Sequence, residues 1–258
     1  MPYSIGLAGK GGTGKTTIAG LLIKYLVEQG KTPILGVDAD SNANLNEVLG
    51  LKVKETLGEA REEMKRGVAA GMTKNVFMQM KLEQSVIESK GFDLVVMGRP
   101  EGAGCYCAAN TLLTQYLEKL VNNYAFVVID NEAGMEHISR LTTNNIDLLL
   151  MVSDSSHRGI KSAARIDELT QSLSLNIGRR LLILNQAKEQ DRATLEKVVG
   201  QYPFELAGIV PEDSLVREFD LQGRPTIHLD LQSPAVRAAY QIFKDVLDGE
   251  KQYQGGVL

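Results

Sequence analysis

Two short stretches of this 258-residue chain carry residue types whose spacing could do chemistry. The first is GKGGTGKT, residues 9–16, which satisfies G-x-x-x-x-G-K-[ST] with Gly9, Gly14, Lys15 and Thr16 at the fixed positions. Glycines let successive backbone N–H groups converge on phosphate oxygens. A helix starting at the end of such a loop adds positive potential. In a loop of this kind the lysine spans the β- and γ-phosphates and the Ser/Thr hydroxyl binds Mg2+. Those roles fall to Lys15 and Thr16, with Gly11, Gly12, Thr13 and Thr17 completing the cradle. The bland alternative is a flexible glycine loop with an accidental lysine. It is disfavoured because a strand pattern (3–8) leads in and an amphipathic helix pattern (15–30) leads out.

The second stretch is EGAGCYCAAN, residues 101–110, which holds the chain's 2 cysteines, Cys105 and Cys107. On an extended segment residues i and i+2 point to the same side, roughly 6.5–7 Å apart. Such a pair can share a metal ion and is badly placed for an internal disulfide. A helix pattern follows at 108–123, and a helix N-terminus favours the thiolate that metals need. Two thiolates do not complete a tetrahedral site. The 3 histidines, His137, His157 and His228, are remote in sequence. Two small buried hydrophobes and a redox switch between subunits remain open as alternatives.

Carboxylates and amides stand at other strand ends. The strand pattern 33–40 finishes in Asp38 and Asp40, and the pattern 125–130 runs into Asp130. An apolar strand ending in Asp is the pattern that holds Mg2+, and Asp38 could contact the ion through water. Asp130 through Gly134 has the spacing D-x-x-x-G, whose glycine can follow a γ-phosphate. Asn185 ends LLILN, where a carboxamide can read adenine. Each aspartate alone could equally be a helix cap or turn former. That alternative weakens when both strand ends fall on one carboxyl edge beside the phosphate loop.

The elements that must position these residues alternate. Apolar runs at 3–8, 33–40, 93–98, 125–130, 147–153, 180–186 and 207–211 read as strands covered on both faces, and 60–67 and 75–89 read as helices. The expected fold class is α/β: a single domain over 1–258, with a mainly parallel sheet flanked by helices and right-handed crossovers. Residues 251–258 read as a frayed tail. AREEMKR (60–66) reads as a solvated face that could instead dock a partner, and Met78 and Met80 as packing residues. With 28 basic and 32 acidic residues the formal net charge is −4, which argues against nucleic-acid binding. No apolar run is long enough for a membrane span and the N-terminus has no signal-peptide pattern, so a cytoplasmic protein is expected.

Lys10, near the start of the loop, completes K-G-G-x-x-K-[ST], and here the chain resembles the deviant-Walker ATPases. That group includes the nitrogenase iron protein and the partition and septum-placement ATPases. The resemblance implies a P-loop NTPase with a deviant Walker A loop, acting as a homodimer. Lys10 would reach the partner's nucleotide, and Asp40 would orient the attacking water. Asn185 would contact adenine, and Pro211 and Asp213 would close the base pocket. ATP is expected over GTP because N-K-x-D is absent. GKGGTGKT, DAD at 38–40 and GCYC at 104–107 together resemble the CooC-type nickel-insertion ATPases of carbon monoxide dehydrogenase maturation. That likeness implies slow ATP hydrolysis coupled to metal delivery. Cys105 and Cys107 of two protomers would hold one Ni2+ or Zn2+ per dimer, with carbon monoxide dehydrogenase as client. The alternatives are an iron–sulfur cluster carrier or reductase and a partition-type positioning ATPase.

Overall fold

The computed structural model describes residues 1–40, 42, 44–68, 71–98, 115, 117–131, 145–172 and 176–248. Cys105, Cys107, Gly134, most of the pattern 108–123 and the tail 251–258 lie outside the described residues. Residues 117–121 of that pattern are helical.

The sheet is assembled from β1 (Tyr3–Ala8), β2 (Ile34–Ala39), β3 (Ile87–Glu88), β4 (Phe92–Val96), β5 (Phe126–Asn131), β6 (Asn145–Ser153), β7 (Asn176–Ala187) and β8 (Glu205–Pro211). The order across the sheet is β3-β4-β2-β5-β1-β6-β7-β8. Every pairing is parallel except that of β3 with β4. Parallel pairing brings the carboxyl ends of β1, β2, β5, β6, β7 and β8 to one edge. Helices fill the connections: α1 (Lys15–Glu28), α2 (Leu45–Val48), α3 (Leu57–Arg66), α4 (Lys74–Ser85), α5 (His157–Ser172), α6 (Arg192–Val199), α7 (Ser214–Leu221) and α8 (Pro234–Asp248).

Strand side chains alternate between faces. Ile5, Leu7, Val128, Leu148, Leu150, Leu181 and Ile183 face α1 and α8, forming one core with Ile18, Leu22, Leu26, Val236, Ala239 and Phe243. The opposite face packs Leu149, Met151, Leu182 and Leu184 against α5 and α6. Leu35, Val37, Val127 and Ile129 on that face pack against α3 and α4. These strands are buried on both sides, which is why they read as continuous apolar runs. The helices α1 and α8 are further joined by an edge-to-face contact of Tyr25 and Tyr240, with ring centroids 5.2 Å apart. The Tyr240 hydroxyl also donates to Glu28 at 2.8 Å.

Some boundaries differ from the sequence reading. The helix expected over 75–89 stops at Ser85, and Ile87 and Glu88 pair antiparallel with Leu94 and Asp93. β-branched Val86 and Ile87 favour extended backbone at a free sheet edge, and this pairing outweighs the helical pattern. The expected solvated face at 60–66 is partly inward: Ala60 and Met64 are buried, and Thr56 and Glu59 form a reciprocal capping box at the helix start. Met78 is buried and Met80 packs at the edge of the same cluster, as expected. Among the described residues no helix is long and apolar enough to cross a membrane.

Candidate nucleotide site

Strand β1 delivers the chain to the carboxyl edge at Ala8, and the loop 9–14 turns it into α1. Two glycines are required by contact. A Cβ on Gly9 would overlap the carbonyl oxygen of Val152 on β6, and a Cβ on Gly14 would overlap Nδ2 of Asn185. Gly14 caps α1 with φ 82°, in the left-handed region that side-chain-bearing residues avoid. Gly14 has no side chain to cap the first N–H groups of α1, a helix start suited to an external acceptor.

The loop is held by its own bonds. Thr13 is buried, and its hydroxyl donates to the Lys10 carbonyl at 2.8 Å. Asn185, at the end of β7, donates from Nδ2 to the Thr13 carbonyl at 2.9 Å. Lys15 is only 6% exposed and its side chain runs beside Gly9. Lys10, Gly11 and Gly12 are exposed.

Asp38 and Asp130 stand opposite each other in the β2–β5 register, and Asp130 opposes Leu7 of β1. Both are buried. Asp38 accepts the N–H of Asp40 at 3.1 Å and of Leu45 at 3.0 Å, fixing the turn into α2. Burial nevertheless pushes its carboxyl up to about 7, and the nearby Asp130 charge adds to the rise. Among the described residues, both oxygens of Asp130 are buried without a hydrogen-bond partner. Desolvation raises its carboxyl to about 6; the Thr16 hydroxyl and Lys15 ammonium lie close enough to offset part of the rise, yet neither closes a well-formed bond. An orphaned, buried carboxylate beside a hydroxyl is a donor set that fits a hydrated hard cation such as Mg2+. Thr16 and Asp130 would hold that ion.

A cavity of about 1590 Å3 opens above the loop. Lys15, Thr16, Asp40, Asn185, Gln186, Pro211, Asp213 and Arg224 are among the residues lining it. Asp40 is half-buried, and its Oδ1 accepts the Asn42 N–H at 2.8 Å. Asp213 caps α7 by accepting the Leu215 N–H at 2.8 Å. It also accepts the Ser233 hydroxyl and the Ala235 N–H at the start of α8. Its carboxylate therefore joins the turn after β8 to α7 and the start of α8 while lining the cavity.

The structure thus gathers Gly9, Gly11, Gly12, Thr13, Gly14, Lys15, Thr16, Thr17, Asp38, Asp40, Asp130, Asn185, Pro211 and Asp213 around one carboxyl edge, with Lys10 exposed at its rim. Two residues went unnoticed in the sequence. Asn131 is buried and donates from Nδ2 to the Leu7 carbonyl at 2.9 Å, tying β5 to β1 just below the loop. Gln186 lines the cavity beside Asn185. The only signal either offered was adjacency to a residue already singled out. Among the described residues no cluster of His, Cys, Asp and Glu could hold a metal by protein ligands alone.

A phosphate loop between a central strand and its helix, on the carboxyl edge of a parallel sheet, defines a nucleotide-binding α/β protein. Residues 5–227 match the model of the CobQ/CobB/MinD/ParA nucleotide binding domain, and the chain belongs to that family. It is 38% identical over 249 residues to an uncharacterized ATP-binding protein of Methanocaldococcus jannaschii, covering 95% of this chain and 98% of the relative. It is 31% identical over 251 residues to the carbon monoxide dehydrogenase accessory protein CooC of Rhodospirillum rubrum, covering 90% and 91%. Among solved structures, the MinC:MinD cell division protein complex of Aquifex aeolicus superposes with a TM-score of 0.72 at 23% identity, over 95% of this chain and 96% of that one.

Proposed function

We propose that the protein is an ATP-driven metal-delivery factor. Two protomers bind ATP on their phosphate loops and close on each other, Lys10 of each reaching the other's phosphates. Asp40 orients water for attack on the γ-phosphorus, the bond to the β–γ oxygen breaks, and ADP and phosphate leave as the pair reopens. Mg2+, when bound, supplies charge neutralisation on the phosphates. Gly134 follows the γ-phosphate, and Asn185, Pro211 and Asp213 enclose the base. Cys105 and Cys107 of both protomers hold one Ni2+ or Zn2+ as cargo, thiolate ligands suiting either ion. Opening of the pair releases the ion to carbon monoxide dehydrogenase.

The observation that carries this reading is a conjunction in one chain. Lys10 of the loop is exposed and Asp40 lines the cavity above the loop, the lone Cys-x-Cys stands at 105–107, and the sequence is similar across nine tenths of its length to CooC.

The test is a Ni2+ and Zn2+ titration of the reduced protein with sedimentation alongside, with and without ATP. Wild type is compared with Cys105→Ser/Cys107→Ser. One metal per two chains, lost in the double variant and accompanied by dimerisation, is the expected result. Unchanged metal binding in the variant removes the shared thiolate site. Purification with bound iron and sulfide on the same cysteines would favour the cluster carrier instead.

A further inference from the structure

We infer that Gln186 is the specificity-determining residue of the base pocket, an inference that rests on the nucleotide binding proposed above. Its backbone is the first sign. Gln186 has φ 56°, the one left-handed non-glycine among the described residues. L side chains rarely adopt this conformation, and where they do at a site it is held there by the surroundings.

The cause lies in the β7–β8 register. Leu184 pairs with Ile209 and Ala187 with Pro211, so Asn185 and Gln186 together oppose the single residue Val210. This is a bulge, a device that re-aims a side chain at a sheet edge. The bulge sends the two neighbouring carboxamides to different tasks. Asn185 is only 6% exposed and its amide is committed to the Thr13 carbonyl. Gln186 is exposed and lines the cavity. Its Nε2 lies 3.8 Å from where a Cβ on Gly14 would stand, at the mouth of the phosphate loop. Among the described residues its carboxamide has no hydrogen-bond partner.

Adenine presents an exocyclic amino donor next to a ring-nitrogen acceptor. A carboxamide matches that pair with its own oxygen and amide in one plane. Gln186 has both groups available, whereas Asn185 has its Nδ2 engaged by the Thr13 carbonyl. Gln186 therefore reads the donor–acceptor edge of the base, while Asn185 joins the phosphate cradle to the base enclosure.

Calorimetry with Mg2+ and either ATP or purine riboside 5′-triphosphate, which lacks the 6-amino group, separates the two tasks. Wild type is expected to prefer ATP about tenfold, the scale of one good hydrogen bond. Gln186→Gly suits the left-handed backbone and keeps the fold, and it narrows the preference to about twofold or less. Gln186→Glu keeps the acceptor that meets the 6-amino group and loses the donor to a ring nitrogen both ligands share, so it weakens both triphosphates and leaves the ratio. Asn185→Ala weakens both triphosphates alike. An unchanged ratio in Gln186→Gly overturns the assignment, as does a ratio abolished by Asn185→Ala alone or equal affinity in wild type. Failure of wild type to bind either triphosphate fells the nucleotide reading itself and is distinct, since no ratio then exists.

Discussion

Strands β2 and β5 end side by side, and each presents a buried aspartate to the same edge. Asp38 has both oxygens engaged by backbone N–H groups of the turn that follows. Asp130, its register partner, has neither oxygen engaged among the described residues. Burial raises both carboxyls, Asp38 to about 7 and Asp130 to about 6, so the pKa direction does not separate them. Hydrogen bonding does. A buried carboxylate that accepts two amides organises the backbone, whereas one without partners is costly unless something outside the chain completes it. Asp38 shapes the path to Asp40 and α2, and Asp130 waits for a ligand. Two strand-end aspartates that look equivalent in sequence thus serve different ends.

The largest expected effect is in Asp130→Asn. On the proposed function this removes a carboxylate that would hold the cation, several kcal/mol of transition-state stabilisation, and ATP hydrolysis should fall about 100-fold or more. The apo variant at pH 8 should melt higher than wild type, because an unpartnered buried charge is removed. A melting point that drops would show that Asp130 is structural and erase the contrast.

Asp38→Asn replaces an acceptor with an amide facing N–H groups. It should cost about 1–3 kcal/mol, or roughly 2–4 °C of melting temperature for each kcal/mol, read by thermal denaturation. Hydrolysis should fall less than in Asp130→Asn, through loss of order at Asp40.

The pH dependence sharpens the comparison. Both carboxyls are raised above their unfolded-state value, so their contribution to stability is complete below about pH 4. It is lost as pH rises through about 6 for Asp130 and about 7 for Asp38. Melting of the apo protein from pH 5 to 8 should show this decline, and Asp130→Asn should flatten its acid half.

The smallest effect is expected in Asn131→Ala, which removes the bond to the Leu7 carbonyl. About 1 kcal/mol of stability should be lost, measured by urea denaturation, with ATP affinity changed little.

How far the sequence made this legible follows from how local each feature is. The phosphate loop is eight contiguous residues whose meaning depends only on the strand before and the helix behind. Asp38 and Asp130 were visible because a strand's end is visible, but the bonds that distinguish them depend on how the chain turns afterwards. Asn185, expected as the last strand residue, is followed by two more residues of β7, and its bond to Thr13 spans 172 positions, which no local pattern encodes. The β7–β8 bulge that turns Gln186 outward comes from a pairing register, and the three partners of Asp213 come from two helices further along the chain. The stop of α4 at Ser85 was hidden for a related reason: an edge strand of two residues has too little pattern to compete with a helix.

The Asp213 junction has a mechanical consequence. From β8 it ties to the start of α8; α8 lies along α1 through Tyr240; α1 springs from the phosphate loop, and Asn185 hands that loop back to β7, the neighbour of β8. These contacts close a truss. The turn after β8 and the phosphate loop are members of one frame, and a load applied at either is carried by both.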